Sequence, residues 1–204
     1  MINIKLIKML LKVITIFLIT FNTLANDSKI SKYTNILGKP NAPNVLIEYA
    51  SLSCVHCANF HNKKLPSIKK ELIDSGKLKY IYVDFPLDLP AMLASMITHC
   101  YSEKRYFAVL ESLYRNQKKW VTSSDTKEKL FESFHLVLKE YGVTLEKIQE
   151  CTADTEENKK KCDNILASRL EGQNLGVNST PTFFLNGKKL DGNIDLSKIK
   201  KLIY

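Results

Sequence analysis

The chain has 204 residues, 45% of them hydrophobic and 25% charged, with a formal net charge of +9. A basic balance raises the question of nucleic acid, but the lysines are scattered and neither a zinc-finger spacing nor an aromatic RNA-binding signature occurs, so no nucleic-acid partner is expected. No internal repeat, low-complexity tract or long linker interrupts the sequence after its first residues, which leaves one core of ordinary size or a compact domain carrying an insertion.

Residues 1–25 read as a signal peptide. Lys5, Lys8 and Lys12 make a basic start, Val13 to Phe21 an apolar core, and Thr23-Leu24-Ala25 a small-residue cleavage site. That core is short beside the roughly 20 apolar residues of a membrane span, although an uncleaved anchor over Ile2 to Phe21 would also fit. Removing three lysines and no acid lowers the formal charge from +9 to +6. Export to the periplasm is the expectation, and an oxidising compartment lets disulfides persist.

Val45 to His61, VLIEYASLSCVHCANFH, is the stretch around which the rest is arranged. An apolar strand holding one acid, Glu48, runs through a short turn into Cys54-Val55-His56-Cys57, where a helical pattern begins. The unpaired N–H groups of a helix start favour a thiolate at Cys54, and Cys57, three residues on, shares its face. Such a pair can close a disulfide or resolve a mixed one. Zinc would need a second close pair of ligands, which Cys100, Cys151 and Cys162 do not supply, so no metal and no cofactor are expected.

The helix continues through Phe60, Leu65, Ile68 and Leu72, with a kink expected at Pro66 and a stop at Ser75-Gly76. Lys77 to Leu87 then reads as a strand, and the three elements make a right-handed βαβ unit with parallel strands. From Leu89 the pattern is helical. Leu89, Met92, Leu93, Met96, Ile97 and Cys100 form one stripe, Tyr106, Val109, Leu110, Leu113 and Tyr114 a second, and Phe131, Phe134, Leu138 and Tyr141 a third. Asp125 with Glu128 caps the third of these helices and Gly142 stops it. A short helix holds Leu145, Ile148 and Cys151. A last one, capped near Asp154 with Glu157, carries Cys162, Ile165, Leu166 and Leu170. Thr182 to Leu185 is a strand, Asn186-Gly187 a hairpin turn, Lys188 to Leu190 the return strand, and Asp195 to Ile203 a closing helix.

Cys-x-His-Cys after an apolar strand, an acid six residues before the first Cys, and the late run Gly176-Val177-Asn178-Ser179-Thr180-Pro181-Thr182-Phe183-Phe184-Leu185-Asn186-Gly187 together resemble the DsbA-like branch of the thioredoxin superfamily, the secreted thiol:disulfide oxidoreductases. The likeness covers nearly all of the chain after the leader. It implies an α/β thioredoxin fold with an inserted all-α helical domain, residues 26–87 and 177–204 forming the thioredoxin part and 88–176 the insertion. On that resemblance Cys54 is the nucleophile and Cys57 the resolving thiol of a redox-active disulfide. His56 tunes the thiol, Glu48 is a buried acid that moves the Cys57 proton, and Pro181 is cis beside the disulfide, with Thr180 and Pro181 meeting substrate. Val55 stands where the most familiar family pattern has proline, so how oxidising the site is stays open.

The activity so implied is donation of a disulfide to reduced or misfolded secreted proteins, with reoxidation by a membrane-bound, DsbB-like thiol oxidase. The protein is expected to act as a monomer. An isomerase or reductase using the same site is the alternative. A copper-binding chaperone is a reading of a different class, against which the sequence after the leader sets only Met92 and Met96. His61, His99 and His135 are read as surface or half-buried residues without a role, and Trp120 as core or interface. Of the other cysteines, Cys151 precedes the cap of the last helix and Cys162 lies well inside it, which separates them. Cys100 and Cys151 sit on stripes that packing can join, and similar DsbA-like sequences carry an extra pair at comparable places. A structural disulfide Cys100–Cys151 is therefore expected, with Cys162 a buried thiol.

Overall fold

The computed structural model of the chain describes residues 35–122 and 126–203, so the leader and the cap at Asp125 lie outside the described residues. Strands β1 (Asn35–Leu37), β2 (Asn44–Ala50), β3 (Leu78–Asp84), β4 (Thr182–Leu185) and β5 (Lys188–Leu190) form one sheet in the order β1-β3-β2-β4-β5. β2 runs parallel to β3 and antiparallel to β4, so Glu48 lies between Tyr82 on one side and Phe183 on the other. All seven residues of β3 are buried, the pattern of a strand covered on both faces. β1, antiparallel to β3, is an addition to the strands expected from sequence; three residues are too few to show an alternation.

Between β2 and β3 the chain forms helix α1 (Val55–Lys63), a four-residue helix α2 (Leu65–Ile68) and a π-helical turn over Lys69–Ile73. The break falls at Lys64, two residues before the expected kink. Pro66 sits in the first turn of α2, where its missing N–H costs nothing. The inserted helices are α3 (Leu89–Thr98), α4 (Glu103–Arg115), α5 (Gln117–Val121), α6 (Lys127–Leu138), α7 (Leu145–Thr152) and α8 (Glu156–Asn174), and α9 (Leu196–Ile203) closes the chain. Threonines cap three of them: Thr126, Thr144 and Thr155 each accept from an N–H three residues on. Thr155, not Asp154, thus starts α8. Gly142 ends the α6 segment in the left-handed conformation, and Asn186 and Gly187 form the hairpin turn with φ of 50° and 80°.

The core joins the sheet to the insertion. Trp120 is fully buried, its ring against Phe134 and its Nε1 donating to Leu113 O at 2.9 Å. Two expected stripes are corrected. Leu89 is exposed at the start of α3, and on α8 Leu166 and Leu170 are exposed while the buried face is Asn158, Lys161, Ile165, Ser168 and Gly172. That face keeps the 3-4-3-4 helical spacing but is built from polar and small residues. At Gly172 an added Cβ would stand 2.8 Å from the Tyr49 ring, so the approach of α8 to the sheet needs glycine there.

Cys100, just past α3, and Cys151 on α7 are disulfide-bonded, with their Cα atoms 5.9 Å apart. Lys161 Nζ donates to Cys100 Sγ at 3.3 Å and to Asn158 Oδ1 at 3.0 Å. Cys162 is half-buried rather than buried, its Sγ 4.0 Å from Met92 Sδ, and burial raises its thiol pKa. Replacing Cys100 and Cys151 together by alanine is expected to lower stability by about 2–4 kcal/mol, read as a drop in the urea midpoint of the oxidised protein. An unchanged midpoint would show that the bridge does not constrain the unfolded chain.

Candidate active site

The loop from β2 to α1 is Ser51-Leu52-Ser53, closed by a hydrogen bond from Cys54 N–H to Ser51 O at 3.0 Å and anchored by the fully buried Leu52. The insertion holds it from above. Gln117 Nε2 on α5 donates to Leu52 O at 2.7 Å and to Cys54 O at 2.9 Å, and Tyr114 OH on α4 donates to Ser51 O at 3.2 Å. These bonds fix the carbonyls of a turn that has few ladder partners of its own.

Cys54 is the N-cap of α1, and its Sγ accepts from Cys57 N–H at 3.4 Å. Its pKa is lowered to about 5. A hydrogen bond from Cys57 is the largest cause; burial opposes it, and Thr180 and the backbone N–H groups of Cys57 and His56 add to the lowering. The His56 side chain is exposed, and its backbone N–H is one of the groups that lower the Cys54 pKa. Cys57 is fully buried, and burial first, then the Cys54 hydrogen bond and the Glu48 charge, push its thiol far above the ordinary range. The two thiols are therefore driven apart: one a thiolate at neutral pH, the other a thiol.

From the opposite side, the Thr180–Pro181 peptide is cis, and Cys54 in its thiol form donates from Sγ to Thr180 O at 3.2 Å. The structure thus brings Cys54, Cys57, Thr180 and Pro181 together at the start of α1.

Glu48 is fully buried on β2. Tyr80 OH donates to its Oε2, and His61 Nε2 lies 3.2 Å from the same oxygen and 3.3 Å from Tyr80 OH. Burial, then the Glu48 charge, hold the Tyr80 pKa well above its usual value, so the phenol is a donor. His61 corrects the sequence reading: its side chain is 1% exposed, and its ring stacks on Tyr114 with centroids 4.1 Å apart. A signal was present. His61 is four residues after Cys57 and so on the same helix face, and Tyr80 lies on the Glu48 face of the neighbouring strand. His99 serves elsewhere, its Nε2 2.7 Å from Asp84 Oδ2. His135 Nδ1 lies 3.0 Å from Val143 O. Among the described residues, no three His, Cys, Asp or Glu side chains gather as a metal site.

A family model described as Thioredoxin matches residues 31–204. The crystal structure of Wolbachia pipientis alpha-DsbA1 superposes with a TM-score of 0.74 at 29% identity, covering 87% of this chain and 93% of that one. Disulfide bond formation protein D of Bacillus subtilis (strain 168) is 26% identical over 181 residues, 82% of this chain and 74% of that protein. A protein of Rickettsia bellii (strain RML369-C) is 27% identical over 181 residues, 86% of this chain. The match spans only 65% of that relative's own length.

Proposed function

The chain belongs to the thioredoxin family, as a DsbA-like member with a helical insertion, and from that premise we propose that it is a protein-disulfide oxidoreductase donating a disulfide through Cys54 and Cys57. The observation that carries the reading is the opposed pair of thiols: Cys54 at a helix start with its pKa lowered to about 5, and Cys57 buried one turn inside with its thiol pushed up. A substrate thiolate attacks Cys54 Sγ, the Cys54–Cys57 bond breaks, and Cys57 leaves with the electron pair and takes a proton. A second substrate thiolate then attacks the substrate sulfur of the mixed disulfide. Cys54 leaves as a thiolate, a good leaving group because its pKa is low. Two electrons pass from substrate to the cysteine pair. Thr180 and Pro181 border the face of Cys54 on which substrate arrives, and Glu48 supplies the proton that Cys57 needs.

The substrates are reduced or misfolded exported proteins in the periplasm, and a membrane-bound thiol oxidase of DsbB-like kind restores the disulfide. Stabilising the Cys54 thiolate favours the reduced form and makes the disulfide a stronger oxidant. Equilibration of the Cys54/Cys57 pair with glutathione is expected to give a potential of about −200 to −120 mV. A value near the roughly −270 mV of thioredoxin would make the protein a reductase instead.

A further inference from the structure

We propose that His61 is a positioning residue that relays protons between Glu48 and a solvent cleft on the far side of α1, so that the buried Cys57 is protonated and deprotonated by a route separate from the substrate face. The inference rests on the disulfide-exchange reading above. Each turnover needs one proton to reach Cys57 when it leaves as a thiolate, and one to depart when the disulfide is rebuilt. Cys57 and Glu48 are both fully buried, so a carboxylate beneath the thiol solves only half of the problem: it must itself exchange protons with water.

Three observations place His61 on that route. Its Nε2 lies 3.2 Å from Glu48 Oε2. Its other nitrogen, Nδ1, is buried with no hydrogen-bond partner, as is Glu48 Oε1, so the two ends of the Glu48–His61 pair are both open. His61 also forms part of the wall of a cleft of about 290 Å³ between the α2 and π-turn segment and α4. Charged groups line part of the cleft: Lys69, Lys70 and Arg115 face it together with Asp74 and Glu111, and Lys69 is paired with Asp74 at 2.7 Å. A space of that size lined by charged groups holds water, and a small tilt of the His61 ring brings the buried Nδ1 to it. The ring is held in place by stacking on Tyr114 and by edge contacts with Tyr80 and Tyr82.

When Cys57 leaves as a thiolate it takes the proton of the Glu48 carboxyl. Glu48 recovers a proton from His61 Nε2, and Nδ1 takes one from cleft water, leaving the imidazole in its other tautomer; the reverse sequence carries the proton out. No electrons move through the relay. The groups facing the ring are Glu48, Tyr80, Tyr82 and Tyr114, and of these Tyr80, Tyr82 and Tyr114 have their pKa values raised by burial and stay protonated at neutral pH.

The test follows the oxidation of a reduced two-cysteine peptide by the full chain, with acid quench resolving the mixed disulfide. His61→Phe keeps a ring to stack on Tyr114 but carries no proton. It is expected to slow the steps that charge or discharge Cys57 by about tenfold or more, while the pH profile of Cys54 alkylation stays as in the wild type. In His61→Ala the vacated space opens to the cleft, and added imidazole should restore the rate. Wild-type rates in both variants would overturn the relay, as would a slowing that is indifferent to imidazole, since that is a packing role. A wild-type protein that exchanges no disulfide would instead overturn the activity on which the relay rests.

Discussion

Replacing Cys54 by serine is expected to abolish disulfide exchange, whereas Cys57→Ser, which cannot form the Cys54–Cys57 bond, should leave a Cys54 thiolate that attacks an added disulfide and stalls as the adduct. The reason is positional. Cys54 caps α1 with its sulfur turned toward Thr180 O, on the side where substrate arrives, while Cys57 is fully buried beneath it. With Cys54 gone, the remaining thiol is both inaccessible and protonated, because burial holds its pKa far up. With Cys57 gone, the Cys54 thiolate still attacks a small disulfide or a disulfide-bonded substrate and expels one of its sulfurs as a thiolate, but no intramolecular thiolate resolves the resulting mixed disulfide. Mass spectrometry of unreduced samples distinguishes the cases: no adduct for Cys54→Ser and stoichiometric adduct for Cys57→Ser. Adducts on Cys57 in the first variant, or turnover in both, would reverse the assigned roles.

The second large effect is on the pH dependence of the reduced protein. Cys54 has its folded pKa lowered to about 5 from the ordinary 9.0 of a free thiol. Between those values the unfolded chain binds a proton at Cys54 that the folded chain does not, so folding stability rises with pH across the window. The contribution is complete above about pH 9 and is lost as the pH falls through about 5. One fully transferred proton would give a slope of about 1.4 kcal/mol per pH unit. Partial access of solvent to Cys54 keeps the slope below that. Cys57 acts in the opposite sense only above the ordinary thiol range, where the unfolded thiol ionises and the buried one does not. Urea midpoints of the reduced protein minus those of reduced Cys54→Ser isolate the first effect. A difference that does not change between pH 5 and 9 would mean that Cys54 is an ordinary thiol. The oxidised protein, which has no Cys54 proton to lose, serves as the internal control.

The parts of the fold that local chemistry dictates were legible in the sequence. The apolar run ending in Cys-x-x-Cys, the Asn186-Gly187 turn and the tyrosine- and leucine-rich face of α4 each announce an element through residues next to one another. The misses share a cause: each depends on partners far away in the chain. β1 is three residues long and exists because β3 has an open edge. The buried face of α8 is chosen by how closely Gly172 lets Tyr49 and Phe85 approach, so its outward leucines misled a reading based on hydrophobicity. His61 gains its neighbours from β2, β3 and α4 at once, and no spacing within α1 alone distinguishes it from a surface histidine. The cap of α8 falls one residue after Asp154, at Thr155, because both residue types can accept the same N–H bonds.

The two hydrogen bonds of Gln117 carry an implication for how this molecule can be altered. Cys54 O keeps a second donor, Ala58 N–H at 3.1 Å, but Leu52 O is buried and receives its bond from a side chain of the inserted helices. Cutting the insertion down to a bare thioredoxin scaffold would remove that bond, worth about 0.5–1.5 kcal/mol, from the loop that sets the angle of Cys54. A trimmed protein could keep its sheet and still present its nucleophile on a slack turn. The helices that look like an accessory to the redox fold are, through one amide group, part of its tooling.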